Sequence, residues 1–134
     1  MEKLYISASQ NTPEIILAPA EYTYSITGVS SPEDVRAIYY PVIEWFNKFT
    51  GEIRDGLAVF TVTNPLKLKI ALEYFNSSSA KFLYDIFNQL KNMRASGIPV
   101  IIEWHYHEDD LEMMEAGKDI ASFAEIEIQF IVNK

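Results

Sequence analysis

No cysteine occurs anywhere in the sequence, which removes disulfide staples, thiolate nucleophiles and cysteine-bound zinc or iron–sulfur clusters together. Such a chain suits a reducing compartment, and the expected address is the cytoplasm. Positive charge is also scarce: 11 Lys and Arg stand against 19 Asp and Glu, a formal charge of −8. That surface repels a phosphate backbone over most of its area, so nucleic acid is not an expected partner. No segment approaches the roughly 18 unbroken apolar residues of a membrane span. Met1, Glu2, Lys3 and Leu4 do not make the basic-then-apolar opening of an export signal, so no membrane association is expected. Repeats, low-complexity tracts and long linkers are missing too, and residues 1–134 are read as a single domain.

What is present is apolar material: hydrophobic residues make up 49% of the 134, enough for a core without disulfide support. Near the N-terminus, Leu4–Ile6 suggests a small strand. Glu14–Leu17 and Tyr22–Ile26 suggest an antiparallel hairpin around Ala18, Pro19, Ala20 and Glu21. Ser31, Pro32, Glu33 and Asp34 follow the order of a helix start, a capping hydroxyl followed by proline and acids. Val35, Ile38, Tyr39, Val42, Phe46 and Phe49 continue it at three-and-four spacing, with a break expected near Tyr40 because Pro41 has no N–H. Leu57–Val62 reads as a weak strand. Leu66–Phe75 is a stronger one, with Leu66, Leu68, Ile70, Leu72 and Tyr74 on one face and Lys67, Lys69, Ala71, Glu73 and Phe75 on the other.

Phe82, Leu83, Ile86, Phe87, Leu90 and Met93 form the clearest helical stripe, ended by Ser96, Gly97 and Pro99. Ile98–His107 alternates as a second central strand. Asp109–Lys118 reads as a helix with Gly117 near its end, and Glu125–Val132 as a closing strand. A right-handed crossover makes the two central strands parallel neighbours. The fold class is therefore α/β, a mixed sheet with its helices packed mainly on one face.

The densest chemical signal is Tyr74-Phe75-Asn76-Ser77-Ser78-Ser79-Ala80-Lys81, where an apolar strand runs into hydroxyls and then directly into the long helix. Free N–H groups at a helix start carry partial positive charge, so a serine there can cap the helix, and a phosphate on it would be stabilised by the same groups. Local chemistry leaves both roles open.

The run Leu72–Lys81 resembles the signature of the SiaC family of bacterial regulatory phosphoproteins, Leu-x-Tyr-Phe-Asn-Thr-Ser-Ser-x-Lys. Gly28-Val29-Ser30-Ser31-Pro32-Glu33 is similar to that family's Gly-x-Ser-Tyr-Pro-Glu, and Pro41–Trp45 to its Pro-x-x-x-Trp. Gly97–Tyr106 and Asp110–Gly117 match two further segments in the same order. The sequence departs from the family in having Ser77 where threonine is common and Ser31 where tyrosine is usual. The resemblance implies a fold like that of the anti-sigma-factor antagonists (STAS-like). It also implies a non-catalytic switch without a cofactor, phosphorylated by a partner kinase, cleared by a phosphatase, and able when unmodified to bind and activate a diguanylate cyclase. Ser77 is the implied acceptor, with Ser78 as runner-up and Ser79 third. Ser31, Pro32, Glu33, Asn76, Ser78, Ser79 and Lys81 are the implied partner surface, with Asn76 and Lys81 flanking the phosphate.

Two rival readings come from other classes. Glu103, His105 and His107 share one strand face with Glu108, Asp109 and Asp110 just beyond, from which a metal-dependent enzyme can be drawn, although no third histidine or cysteine completes a typical zinc set. A binding module whose serine is only a helix cap is the other. Tyr39, Trp45, Phe46 and Phe49 read as packing rather than a ligand pocket, with Tyr40 the exception. No Gly-rich phosphate loop or Gly-x-Ser-x-Gly elbow is present, so nucleotide hydrolysis and the usual serine hydrolase arrangement lack their parts.

Overall fold

The computed structural model describes all residues from Met1 to Lys134. The elements run β1 (Leu4–Ile6), β2 (Glu14–Ala18), β3 (Thr23–Ser30), α1 (Val35–Arg54), β4 (Leu66–Phe75), α2 (Ser77–Ala95), β5 (Val100–His107), α3 (Leu111–Ala124) and β6 (Gln129–Asn133). They build one six-stranded mixed sheet whose spatial order, β1-β2-β3-β4-β5-β6, repeats the chain order. The first two pairings are antiparallel and the remaining three are parallel. Each parallel pairing is bridged by one helix, and successive crossovers of one hand in one direction put all three helices on the same face.

Burial follows from that layering. Leu66, Leu68, Ile70 and Leu72 of β4 and Val100, Ile102 and Trp104 of β5 are buried beneath the helices, whereas Lys67, Lys69 and Glu73 on the reverse face are exposed. Parallel strands covered on both faces would read as continuous apolar runs; these alternate because only one face is covered. From α1 the core takes Tyr39, Val42, Trp45, Phe46 and Phe49, and from α2 it takes Phe82, Leu83, Ile86, Phe87, Leu90 and Met93. Tyr40 stands out at 55% exposure.

Several expectations need correction. The helix after Ser31 starts at Val35, with Asp34 as its cap: the carboxylate accepts from the Ala37 N–H at 3.3 Å. Ser31, expected as the cap, lies three residues before Asp34, and its N–H donates to the Asn11 carbonyl at 2.8 Å. Nor does Pro41 break α1, which is continuous from Val35 to Arg54. The carbonyl deprived of a helical donor is that of Ala37, an exposed residue, where water can take the place of the lost N–H. Leu57–Val62 is no strand; nearby there is only an isolated bridge between Thr61 and Asn64. Both edges of β4 are taken by β3 and β5, so an adjoining segment finds no edge to join, and Phe60 instead packs between Tyr24 and Phe49.

Helix α3 runs past Lys118 to Ala124, with Gly117 inside it rather than near its end. A Cβ at Gly117 would lie 2.6 Å from the Trp104 indole, so this glycine allows close approach of helix and sheet. Glu125, placed at the start of the last strand from sequence, instead turns the chain in the left-handed region at φ 55°, and β6 begins at Gln129.

The most consequential difference lies at the end of β4. Gly28 pairs with Leu72, but the next residue, Val29, pairs with Tyr74, so β4 carries one extra residue at Glu73. A bulge of this kind inverts the alternation beyond it. Tyr74, expected on the inner face, is 56% exposed, while Phe75 turns inward and meets Trp104 edge-on with centroids 5.9 Å apart.

Candidate phosphoacceptor site and partner surface

Downstream of the bulge the chain passes from β4 into α2 through one residue, Asn76, in extended conformation (φ −87°, ψ 174°). Its side-chain oxygen accepts from the Ser79 N–H at 2.9 Å and from the Ser78 hydroxyl at 3.1 Å. The cap is thus Asn76 rather than any of the serines. Its backbone N–H donates to the Ser30 carbonyl at 3.0 Å, tying the helix start to the end of β3.

The three serines meet three environments. Ser79 is fully buried, and its hydroxyl donates to the Ser30 carbonyl at 3.0 Å. It accepts from the Ser30 hydroxyl at 2.8 Å, and Ser30 in turn lies 2.7 Å from the Tyr39 hydroxyl. Tyr39, Ser30 and Ser79 are all sealed from solvent. Burial raises the Tyr39 pKa, against an opposing pull from the nearby Ser30 and Ser79 hydroxyls; with the Ser30 proton given to Ser79, the Tyr39 phenol is the outer donor of the chain. Ser78 is exposed with its hydroxyl proton engaged by Asn76. Ser77, the first residue of α2, is exposed and its hydroxyl is free of side-chain partners within the protein. As first-turn residues, Ser77 and Ser78 also have backbone N–H groups with no intrahelical acceptor. These concentrate partial positive charge where a dianion on Ser77 would sit.

Around this point, Ser31 is half-buried, Pro32 is buried and Glu33 is exposed. Both Asn76 and Ser79 bond to Ser30, the residue just before Ser31, so the expected turn and helix start do meet. Lys81 points away from Ser77: its ammonium lies 2.6 Å from the Asp85 carboxylate and 4.9 Å from the Phe82 ring centroid. Phe82 also stacks on Tyr39 and takes the edge of Tyr40, each with centroids 5.6 Å apart. Sequence reasoning missed Ser30 and Tyr39 as supports of the site. The available signal was a serine in alternation with Tyr24 and Ile26, the inward positions of β3, a place where a buried hydroxyl needs partners.

The histidine cluster does not assemble. Glu103 Oε1 and His105 Nε2 are 3.3 Å apart, but His107 Nδ1 instead accepts from the Asp109 N–H at 3.1 Å. No three His, Asp or Glu side chains converge anywhere in the chain, which overturns the Glu103, His105 and His107 metal-site reading. His107 is the last residue of β5, and its ring is engaged by the turn that follows.

Comparison with known proteins covers nearly the whole chain. An uncharacterized protein of Pseudomonas aeruginosa (strain UCBPP-PA14) is 32% identical over 126 residues, spanning 92% of this chain and 93% of that one. The crystal structure of apo-SiaC from P. aeruginosa superposes with a TM-score of 0.81 at 27% identity, covering 100% of both chains. A P. aeruginosa structure of the diguanylate cyclase SiaD in complex with its activator SiaC matches with a TM-score of 0.80 at 27% identity, over 96% of this chain and 97% of that one. The model for the SiaC family regulatory phosphoproteins matches residues 6–133, and the chain belongs to that family.

Proposed function

We propose that this chain, acting as a single regulatory domain over residues 1–134, is a non-catalytic cytoplasmic switch whose Ser77 is phosphorylated by a partner kinase and cleared by a phosphatase. In its unmodified form it binds and activates an effector, a diguanylate cyclase. The observation that carries the reading is the exposed, unengaged Ser77 hydroxyl at the first position of α2, followed by a runner-up held by Asn76 and a third serine that is buried. Family membership and the likeness to an activator seen with its cyclase support the choice of effector.

Phosphate adds about −1.5 to −2 charges and three acceptor oxygens. Against an apolar or acidic partner face it weakens binding by repulsion and by the desolvation of a dianion. Ser31, Glu33, Asn76, Ser78 and Lys81 frame the surface, whereas Ser79 and Pro32, expected there from sequence, are buried and can only support it from beneath. Ser77→Ala should hold the cyclase whether or not kinase and ATP are present, and Ser77→Asp should bind at least tenfold more weakly. Equal affinities for the two variants, measured by calorimetry, would sink the switch.

A further inference from the structure

Ser77, Lys81 and Asp85 stand at successive i,i+4 positions of α2 and therefore on one stripe of the helix. The lysine is now committed downstream, 2.6 Å from the Asp85 carboxylate and 4.9 Å from the Phe82 ring centroid. We propose that Lys81 is the residue that reads the modification: a phosphate on Ser77 draws its ammonium one turn toward the helix start, releasing Asp85 and uncovering Phe82. The inference rests on the phosphorylation of Ser77 proposed above.

Three comparisons favour the swap. The Lys81–Asp85 pair has the cation N-terminal to the anion, the weaker i,i+4 orientation, and a phosphate at position 77 would put the anion N-terminal. The present partner is a monoanion, whereas phosphoserine approaches a dianion near neutral pH. Finally, the lysine side chain is 67% exposed, so it can swing without disturbing the core.

The result is a change larger than one added charge. Asp85, whose side chain is 28% exposed, becomes an unpaired carboxylate, and the Phe82 ring loses its cation. Ser77 and Asp85 are eight residues apart, about 12 Å along the helix at 1.5 Å per residue. Modification would therefore recast the charge pattern along that whole length of α2.

The test places phosphoserine at position 77 by genetic encoding, so that no kinase is needed, and follows the 31P chemical shift against pH at low salt. With Lys81 captured, the phosphate loses its second proton at a lower pH than in Lys81→Met, a three- to tenfold difference in proton affinity. Lys81→Arg should retain most of that difference. Superimposable titrations of phosphorylated wild type and Lys81→Met would overturn the capture, whatever the fate of the switch. If the titrations differ while phosphoserine leaves cyclase affinity unchanged, the capture stands and the switch reading fails.

Discussion

Ser77 and Ser79 have the same side chain two positions apart, yet one faces water and the other closes a buried chain of hydroxyls with Ser30 and Tyr39. Their replacement should separate cleanly. Ser79→Ala leaves the Ser30 hydroxyl without its acceptor and the Ser30 carbonyl without one donor. Stranded buried polar groups cost about 1–3 kcal/mol each way of counting, so urea denaturation should show a loss in that range. Ser77→Ala should fall within about 0.5 kcal/mol of wild type, as exposed substitutions usually do. If Ser79→Ala were as harmless as Ser77→Ala, the hydroxyl chain would not be what anchors the helix start. The signature around position 77 could be read from sequence, but its ranking of environments could not. Which serine is sealed depends on Ser30, 49 residues away in sequence from Ser79 and brought near only by strand pairing.

At the level of elements, periodicity located β4 and β5 within two residues at each end, because alternation records which face is covered, but it placed α2 after the three serines that in fact form its first turn. It failed where a local signal competed with a tertiary one. The bulge at Glu73 inverted the expected sides of Tyr74 and Phe75, since one extra residue in a strand leaves no mark on composition. Pro41 reads locally as a breaker, yet α1 is held across it by the buried Tyr39, Val42, Trp45 and Phe46 on either side. Proline in a helix interior still costs a hydrogen bond, and Pro41 is exposed, so Pro41→Ala should restore the bond from residue 41 to the Ala37 carbonyl. Part of the gain is offset by the greater freedom of the unfolded chain. A net increase of about 1–2 kcal/mol in unfolding free energy is expected, and a decrease would mean that the ring packs usefully on the surface.

The molecule as a whole has a one-sided architecture, legible from the alternation of its parallel strands, and an acidic balance of −8. Its pH response on the alkaline side should come from two buried phenols. Burial, reinforced by neighbouring Tyr22, pushes Tyr24 up to about 12, and burial raises Tyr39 as well. Unfolded tyrosine releases its proton near pH 10. Between about pH 10 and 12 the unfolded chain therefore binds fewer protons than the folded one, and stability falls as pH rises. Below about pH 10 that contribution is fully present. The urea midpoint should drop across this window, and Tyr24→Phe should flatten the drop; an unchanged slope would remove Tyr24 as its source.

Sheet order that repeats chain order has a consequence for biosynthesis. Every strand finds its partner in the segment made just before it, so nothing must wait for the far end of the polypeptide to leave the ribosome. Growth is vectorial, with each newly exposed border covered by the next arrival until β6 forms the last margin. Helix α2, with Ser77 at its first position, follows β3 and β4 in the chain, and its start is tied to the ends of both through Ser30 and Asn76.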